Sequence, residues 1–343
     1  MGKQLIDSLL ERTVVPSFSS LGTTIRSRLF RWQPLESYSL RGQVVVISGA
    51  TSGIGEAAAR RYAQLEATLV IIARNPDKTR AVIQSLKADT GNEDIHGVFA
   101  DLGDQNAVRR AAQEVGERWP AVNVLVHNAG ALYNQRKRAA NDTDLSVELM
   151  VATPFLLTGL LLDNLKAASH RAVGEENSSG SSQVARVLTM SSGGMYTQGL
   201  TVDRLQMRDE NYQGAKQYAR AKRAQVILNE LWADRIADTD IVFHALHPGW
   251  VQTPGISDAL PGFSRLLGPL GLLRSGDDGA DTLVWLSVDP QATECSGAFW
   301  HDRKIRSIDM SNSTRSADTE DKRRALWQWC EQHTNWFFNQ QST

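Results

Sequence analysis

An excess of charge of one sign is absent from this sequence: 37 lysines and arginines stand against 38 aspartates and glutamates, for a net charge of −1. Nucleic-acid binders usually carry a basic stripe or a high pI, so a nucleic-acid partner is not expected. Cysteine is almost missing too. Cys295 and Cys330 lie far apart, with no second Cys near either. That leaves no disulfide framework and no metal site, and it is compatible with a reducing compartment. Long apolar runs are lacking as well. The longest, Val151 to Leu162, is 12 residues and is broken by Thr153, Pro154, Thr158 and Gly159. It is too short to span a bilayer.

A more local absence marks the amino terminus. Between Arg12 and Leu35 there is no acidic residue, while Arg26, Arg28 and Arg31 alternate with Leu21, Ile25, Leu29, Phe30 and Trp32. Three readings stay open: a basic amphipathic helix in peripheral contact with a membrane, part of an organelle-targeting segment, or an extension that is packed on the domain or partly disordered. Asp7 and Glu11 run against targeting. An intracellular site is favoured, either cytoplasmic or on an organelle membrane.

From Gln43 onward, short apolar runs alternate with helix-like segments, the pattern of βα units on a parallel sheet. Strands are expected at Val44 to Ser48, Thr68 to Ala73, Ile95 to Ala100, Val122 to His127, Ala185 to Met190 and Asp240 to Leu246. Helices are expected at Glu56 to Leu65, Thr79 to Asp89, Gln105 to Arg118, Leu145 to Ala168 and Ala215 to Arg235. His170 to Gln183, rich in Gly and Ser, reads as a surface insertion, and Pro248 to Ser275 as a long connection or a loop over a pocket. Residues 308 to 324 read as a polar linker. The tail carries Trp327, Trp329, Trp336, Phe337 and Phe338. It is expected to dock as a helix on the domain or on a second subunit, which leaves a homo-oligomer open.

Three places carry chemistry. After the first strand, Ser48-Gly49-Ala50-Thr51-Ser52-Gly53-Ile54-Gly55 forms a glycine-rich turn into a helix. The glycines allow the tight turn and bring free helix N–H groups against a pyrophosphate. About 20 residues on, a dinucleotide fold reads the adenosine ribose. The second strand ends there in Ala73-Arg74-Asn75, and the donor fork of Arg74 suits a 2′-phosphate. NADP(H) is therefore favoured over NAD(H), with Asp77 nearby as a competing acid. Further on, Tyr218 and Lys222 fall four apart on one helix face, where an ammonium can ease proton exchange at the phenol. Ser191 and Ser192 close the preceding strand, where a hydroxyl can orient a substrate oxygen.

Together these residues resemble the short-chain dehydrogenase/reductase superfamily over about residues 41 to 300, and within it a dehydrogenase/reductase member 12-like group. The turn from Gly49 through Thr51, Ser52, Gly53 and Ile54 to Gly55 is similar to the Thr-Gly-x-x-x-Gly-x-Gly motif, with Ser48 for threonine. Asp101-Leu102 resembles the adenine-contacting pair. His127-Asn128-Ala129-Gly130 resembles Asn-Asn-Ala-Gly, with His127 as a departure. Pro248-Gly249-Trp250-Val251-Gln252-Thr253 resembles the segment beside the nicotinamide.

The resemblance implies a Rossmann-like α/β fold: a doubly wound parallel sheet flanked by helices, one domain at 41–307 with extensions at 1–40 and 308–343. It implies Ser192, Tyr218 and Lys222 as catalytic residues, with Tyr218 and Lys222 also holding the cofactor. It also implies a small-molecule carbonyl or alcohol substrate, and the Leu, Phe and Pro content of Trp250 to Leu273 suggests an apolar one. The family's further catalytic asparagine is missing: Leu149-Met150-Val151-Ala152-Thr153-Pro154-Phe155 stands in its place. That gap, with the unusual ends, keeps open a dinucleotide-binding sensor or scaffold with little turnover.

Overall fold

The strands Val44–Ser48 (β1), Thr68–Ala73 (β2), Ala185–Met190 (β5) and Ile241–Leu246 (β6) are apolar at almost every position and almost wholly buried. Such runs are stable only where helices cover both faces of a parallel sheet. The computed structural model describes residues 2–171, 184–253, 262, 265 and 267–339. Most of the Gly/Ser-rich insertion (172–183), and 254–261, 263, 264 and 266 of the Pro/Gly-rich connection, lie outside the described residues.

With Ile95–Phe99 (β3), Val124–His127 (β4), Phe299–His301 (β7) and Lys304–Ile305 (β8), the strands form one sheet in the order β3-β2-β1-β4-β5-β6-β7-β8. All neighbours are parallel except β7 and β8. The pairings Ile47↔Val126, His127↔Thr189 and Met190↔Leu246 bring the carboxyl ends of β1, β4, β5 and β6 level. The order reverses beside β1, so a crevice opens at this edge.

Side chains alternate between the faces. Val46, Val70, Leu125, Val187 and Phe243 bury against Gln105–Arg118, Thr153–Leu160 and Gly214–Ala233. Val45, Ile47, Leu69, Ile71 and Val126 bury against Gly53–Gln64 and Gly276–Val288.

The expected helix from Leu145 to Ala168 is broken. A short turn, Leu145–Val147, leads into a π-helical turn at Glu148–Ala152; Thr153–Leu160 follows, and a separate helix begins at Leu162. Pro154 has no N–H to give the carbonyl four residues back, and the widened turn absorbs that loss.

The expected linker at 308–324 is also structured. It contains the helix Asn312–Ser316 and the start of Glu320–Thr334, and it is tied down by the pair of Arg223 with Asp309 at 2.7 Å. The tail docks on the domain itself: Trp327 and Trp336 lie 5.0 and 5.5 Å from the Phe155 ring.

The amino-terminal segment forms three helices, Gly2–Glu11 (α1), Val14–Phe18 (α2) and Ser20–Phe30 (α3), packed on the body. Their tie is ionic. Arg26, fully buried, pairs with Asp7 at 2.8 Å, Glu11 at 2.7 Å and Asp302 at 2.6 Å. Of the three sequence readings, packing on the domain is the one these contacts describe. Arg26 therefore cannot belong to a solvated polar face.

Candidate active site

The glycine turn is held by its neighbour in the sheet. Ser48 Oγ accepts from the backbone N–H groups of Asn128 and Ala129, and Asn128 Nδ2 donates to the carbonyls of Ser48 and Gly49 at 3.1 and 3.0 Å. Gly49 and Gly53 take φ of 70° and 59°, the left-handed region that glycine alone enters without strain. At Gly55 a β-carbon would lie 2.4 Å from both Asn128 Nδ2 and the Gly49 carbonyl. The close approach of helix and strand thus requires glycine there, and the amino end of the Gly53–Gln64 helix faces the crevice.

One cavity of about 590 Å³ occupies the crevice. Gly49, Thr51, Ser52, Gly53, Ile54 and Gly55 line it, with Arg74 at the end of β2, Asp101 and Leu102 after β3, and Asn128, Ala129 and Gly130 after β4. So do Ser192, Tyr218, Lys222, Pro248, Gly249, Val251 and Thr253. These residues, far apart in sequence, open onto this one space, whereas Ser48, Asp77, His127 and Gln252 do not line it. Its size falls within the range of small-molecule and cofactor sites.

The Tyr218 helix starts where it does for local reasons. Gln217, fully buried, donates to the Leu205 carbonyl at 2.9 Å and accepts from Met207 N–H at 2.7 Å, pinning the preceding loop. At Gly214 a β-carbon would lie 2.0 Å from the Tyr133 carbonyl, so only glycine lets the helix enter against the loop after β4.

Lys222 is 2% exposed and donates to the Met190 carbonyl at 2.7 Å. Its ammonium sits 5.5 Å from the centre of the Tyr218 ring. Burial pulls it down to about 7 and pushes the Tyr218 phenol up to about 12, the Ser192 side chain opposing the latter shift. In the free protein the phenol is therefore a neutral proton donor.

The lowered lysine has a consequence for stability. The unfolded chain keeps this proton up to about 10.5, the folded protein only up to about 7. Stability is thus fully present above the unfolded value and is lost as pH falls towards 7, by a few kcal/mol in order of magnitude. Lys222→Met is expected to stabilise the cofactor-free protein at pH 7 and to gain little near pH 10, as read from urea unfolding at the two pH values. A gain independent of pH would show that the buried charge is not its source.

The place of the missing asparagine is now visible. Met150 is fully buried in the π-helical turn, and both Met150 Sδ and Lys222 Nζ come within 3.3 Å of where a side chain at Gly130 would begin. A thioether thus lies near the lysine, within the stretch that lacks the asparagine. His127, the other departure, points away into the interior: its Nε2 meets Thr158 Oγ1 at 2.7 Å, and burial lowers it to about 3, keeping it neutral.

Sequence reasoning missed Tyr133, Leu145, Leu149, Gly194 and Ala215, which also line the cavity. Tyr133 had a usable signal, three residues past Gly130 on the loop leaving β4. Leu145 and Leu149 had none, since nothing in a helical pattern tells which apolar residues meet a cavity.

The loop after β6 that carries Trp250 is buttressed by the amino-terminal segment. The Phe18 carbonyl accepts from Trp250 N–H at 2.7 Å and from Arg274 Nε at 3.1 Å, and the Phe18 ring packs edge-on to His247 at 4.3 Å.

A family model described as short chain dehydrogenase matches residues 43–184. Dehydrogenase/reductase SDR family member 12 of Bos taurus is 33% identical over 264 residues, 77% of this chain and 77% of that protein. Polyprenol dehydrogenase of Homo sapiens is 28% identical over 267 residues, covering 76% and 77% respectively. Among solved structures, L-sorbose reductase from Gluconobacter frateurii, complexed with NADPH and L-sorbose, superposes with a TM-score of 0.59 at 21% identity. That match covers 77% of this chain and 95% of the reductase.

Proposed function

Because the chain belongs to the short-chain dehydrogenase/reductase family and is an NAD(P)-dependent oxidoreductase, we propose that it interconverts a carbonyl and an alcohol on an apolar small molecule with NADP(H). Residues 41–307 form the reductase domain in this reading, with 1–40 and 308–343 as extensions. The observation that carries it is the shared wall: Ser192, Tyr218 and Lys222 line the same cavity as the glycine turn.

The glycine turn, which lines the cavity at the amino end of the Gly53–Gln64 helix, fits a pyrophosphate, and Asp101 and Leu102 would flank the adenine. The dinucleotide, when bound, supplies or accepts the hydride. In the reducing direction Ser192 holds the carbonyl oxygen, and Tyr218 gives that oxygen its proton. Lys222 in its charged form stabilises the phenolate left behind. Oxidation of the alcohol runs the same transfers backwards.

Leu132, Leu145, Leu149 and Trp250 around the cavity favour an apolar substrate, and the polyprenol dehydrogenase relative is named for a lipid alcohol. The test is the loss of reduced-nicotinamide absorbance with a panel of aliphatic aldehydes and ketones. Tight NADPH binding with no turnover across the panel would favour the sensor reading instead.

Arg74, exposed at the end of β2, is proposed to hold the 2′-phosphate. A charge-assisted pair of this kind contributes roughly 1.5–3 kcal/mol. Arg74→Ala should therefore raise KM for NADPH about 10- to 100-fold and leave KM for NADH nearly unchanged. Equal effects on both cofactors would remove Arg74 from that role.

A further inference from the structure

The helix α1 docks the wrong way round for a helix that merely packs on a protein. Its one buried residue is Asp7, which pairs with Arg26, Lys304 and Arg306. Leu5, Ile6 and Leu9 fall within an arc of about 100° on the other side. They are 64%, 44% and 56% exposed.

The neighbouring helices continue this surface. Val14, Val15 and Leu21 are 45–48% exposed, so residues 5–21 hold six of the eleven large hydrophobics exposed among the described residues. Leu270, 65% exposed, adjoins them, because Ser20 Oγ donates to the carbonyl of Gly271. Scattered exposed apolar residues are ordinary, but such a concentration marks an interaction surface.

Charge selects the occupant. Asp7 and Glu11 are the only acids before Glu36, and both are tied into the Arg26 network. The charges left at the surface of α1–α3 and their links are Lys3, Arg12, Arg28 and Arg31, all positive. A second copy docking through the same face would set these cations against each other. An anionic lipid surface meets both halves of the pattern, apolar side chains for the acyl boundary and cations for the headgroups.

We propose that α1–α3 form a docking surface for an anionic phospholipid bilayer, on which the protein lies without crossing it. Among the described residues no single helix is long and apolar enough to cross a membrane. The same segment buttresses the loop at Trp250, so docking sets the substrate end of the cavity next to the phase in which an apolar substrate dissolves. This delivery role rests on the apolar-substrate reading above, whereas docking itself does not.

The test is co-sedimentation of the full chain with phosphatidylcholine/phosphatidylserine vesicles and with phosphatidylcholine vesicles alone. Binding is expected only to the former, weakened by salt, and reduced about tenfold or more by the double variant Leu5→Asp/Leu9→Asp. Arg12→Glu/Arg28→Glu should weaken it too. Turnover of a water-soluble carbonyl, and the circular dichroism of the Leu5/Leu9 variant, should be unchanged, since both residues are exposed and remote from the cavity lining. Absence of binding to the serine-lipid vesicles overturns the proposal. So does a dimer in solution that the Leu5/Leu9 variant dissolves, because a second copy would then be the occupant. Vesicle binding with no turnover of any carbonyl would leave docking standing and remove the reductase reading.

Discussion

Tyr218→Phe is expected to lower kcat by about three orders of magnitude while leaving the dissociation constant for NADPH within about twofold. The substitution removes one oxygen and keeps the ring, so the cavity wall and its contact with Lys222 survive. What disappears is the proton donor. Burial holds that phenol up to about 12, which keeps its proton in place until the lysine, charged, lies beside it. General acids of this kind contribute roughly 10²–10⁴-fold. Single-turnover reduction followed by nicotinamide absorbance reads the chemical step, and fluorescence quenching reads binding. A variant that turns over like the natural protein would sink the assignment of Tyr218, whatever its effect on stability.

Arg26→Ala should be the most destabilising single substitution on the amino-terminal side, costing roughly 3–5 kcal/mol in urea unfolding. The cost comes from what it abandons. Asp7 and Asp302 are 1% and 3% exposed, and each would lose a partner within 2.8 Å. Asp7 keeps Lys304 and Arg306, and Asp302 keeps Arg274, so the cost is that of buried carboxylates left with fewer partners, together with the cavity left by a large buried side chain. Arg26→Lys should recover only part of the loss, since one ammonium cannot reproduce three directed contacts.

The pH dependence follows with a definite sign. Burial raises Asp302, but His301, Arg274 and Arg26 outweigh it and hold the carboxyl far below its usual value of 3.8. That stability is therefore present above the unfolded value and is lost as pH falls through the acid range below it. A flattened acid limb in Arg26→Ala would confirm the source. An unchanged unfolding free energy would mean the extension is a passive attachment. Because Phe18 lies between this network and the loop at Trp250, the same variant should also raise KM for the cofactor.

Much of this was legible without a structure, and the reasons differ by element. Buried parallel strands declare themselves as unbroken apolar runs, so β1, β2, β5 and β6 fall within a residue of expectation. The glycine turn was readable because its residue types are dictated by the backbone, at Gly49 and Gly53 by φ and at Gly55 by contact. The strands β7 and β8, only three and two residues long, leave too short a pattern to detect. The break near Pro154 had a signal, since a proline in the interior of the expected helix removes a hydrogen bond, but only the structure shows the widened turn that absorbs the loss.

The amino terminus separates the two kinds of knowledge most sharply. Its shortage of acids and its mixture of arginine with apolar residues are properties of the sequence, and they limited the readings to three. Which side faced inward was not available there, because α1 is equally amphipathic in either orientation. Asp302, far away in sequence, settled it by lying where Arg26 could pair with it.

The trio proposed to be catalytic shows the same division. Sequence determined that Ser192, Tyr218 and Lys222 exist at suggestive spacings behind a dinucleotide turn. Only the sheet, by levelling the carboxyl ends of β1, β4, β5 and β6, placed them on one cavity. Spacing along a chain constrains neighbours on one helix, whereas distance between elements is set by register and packing.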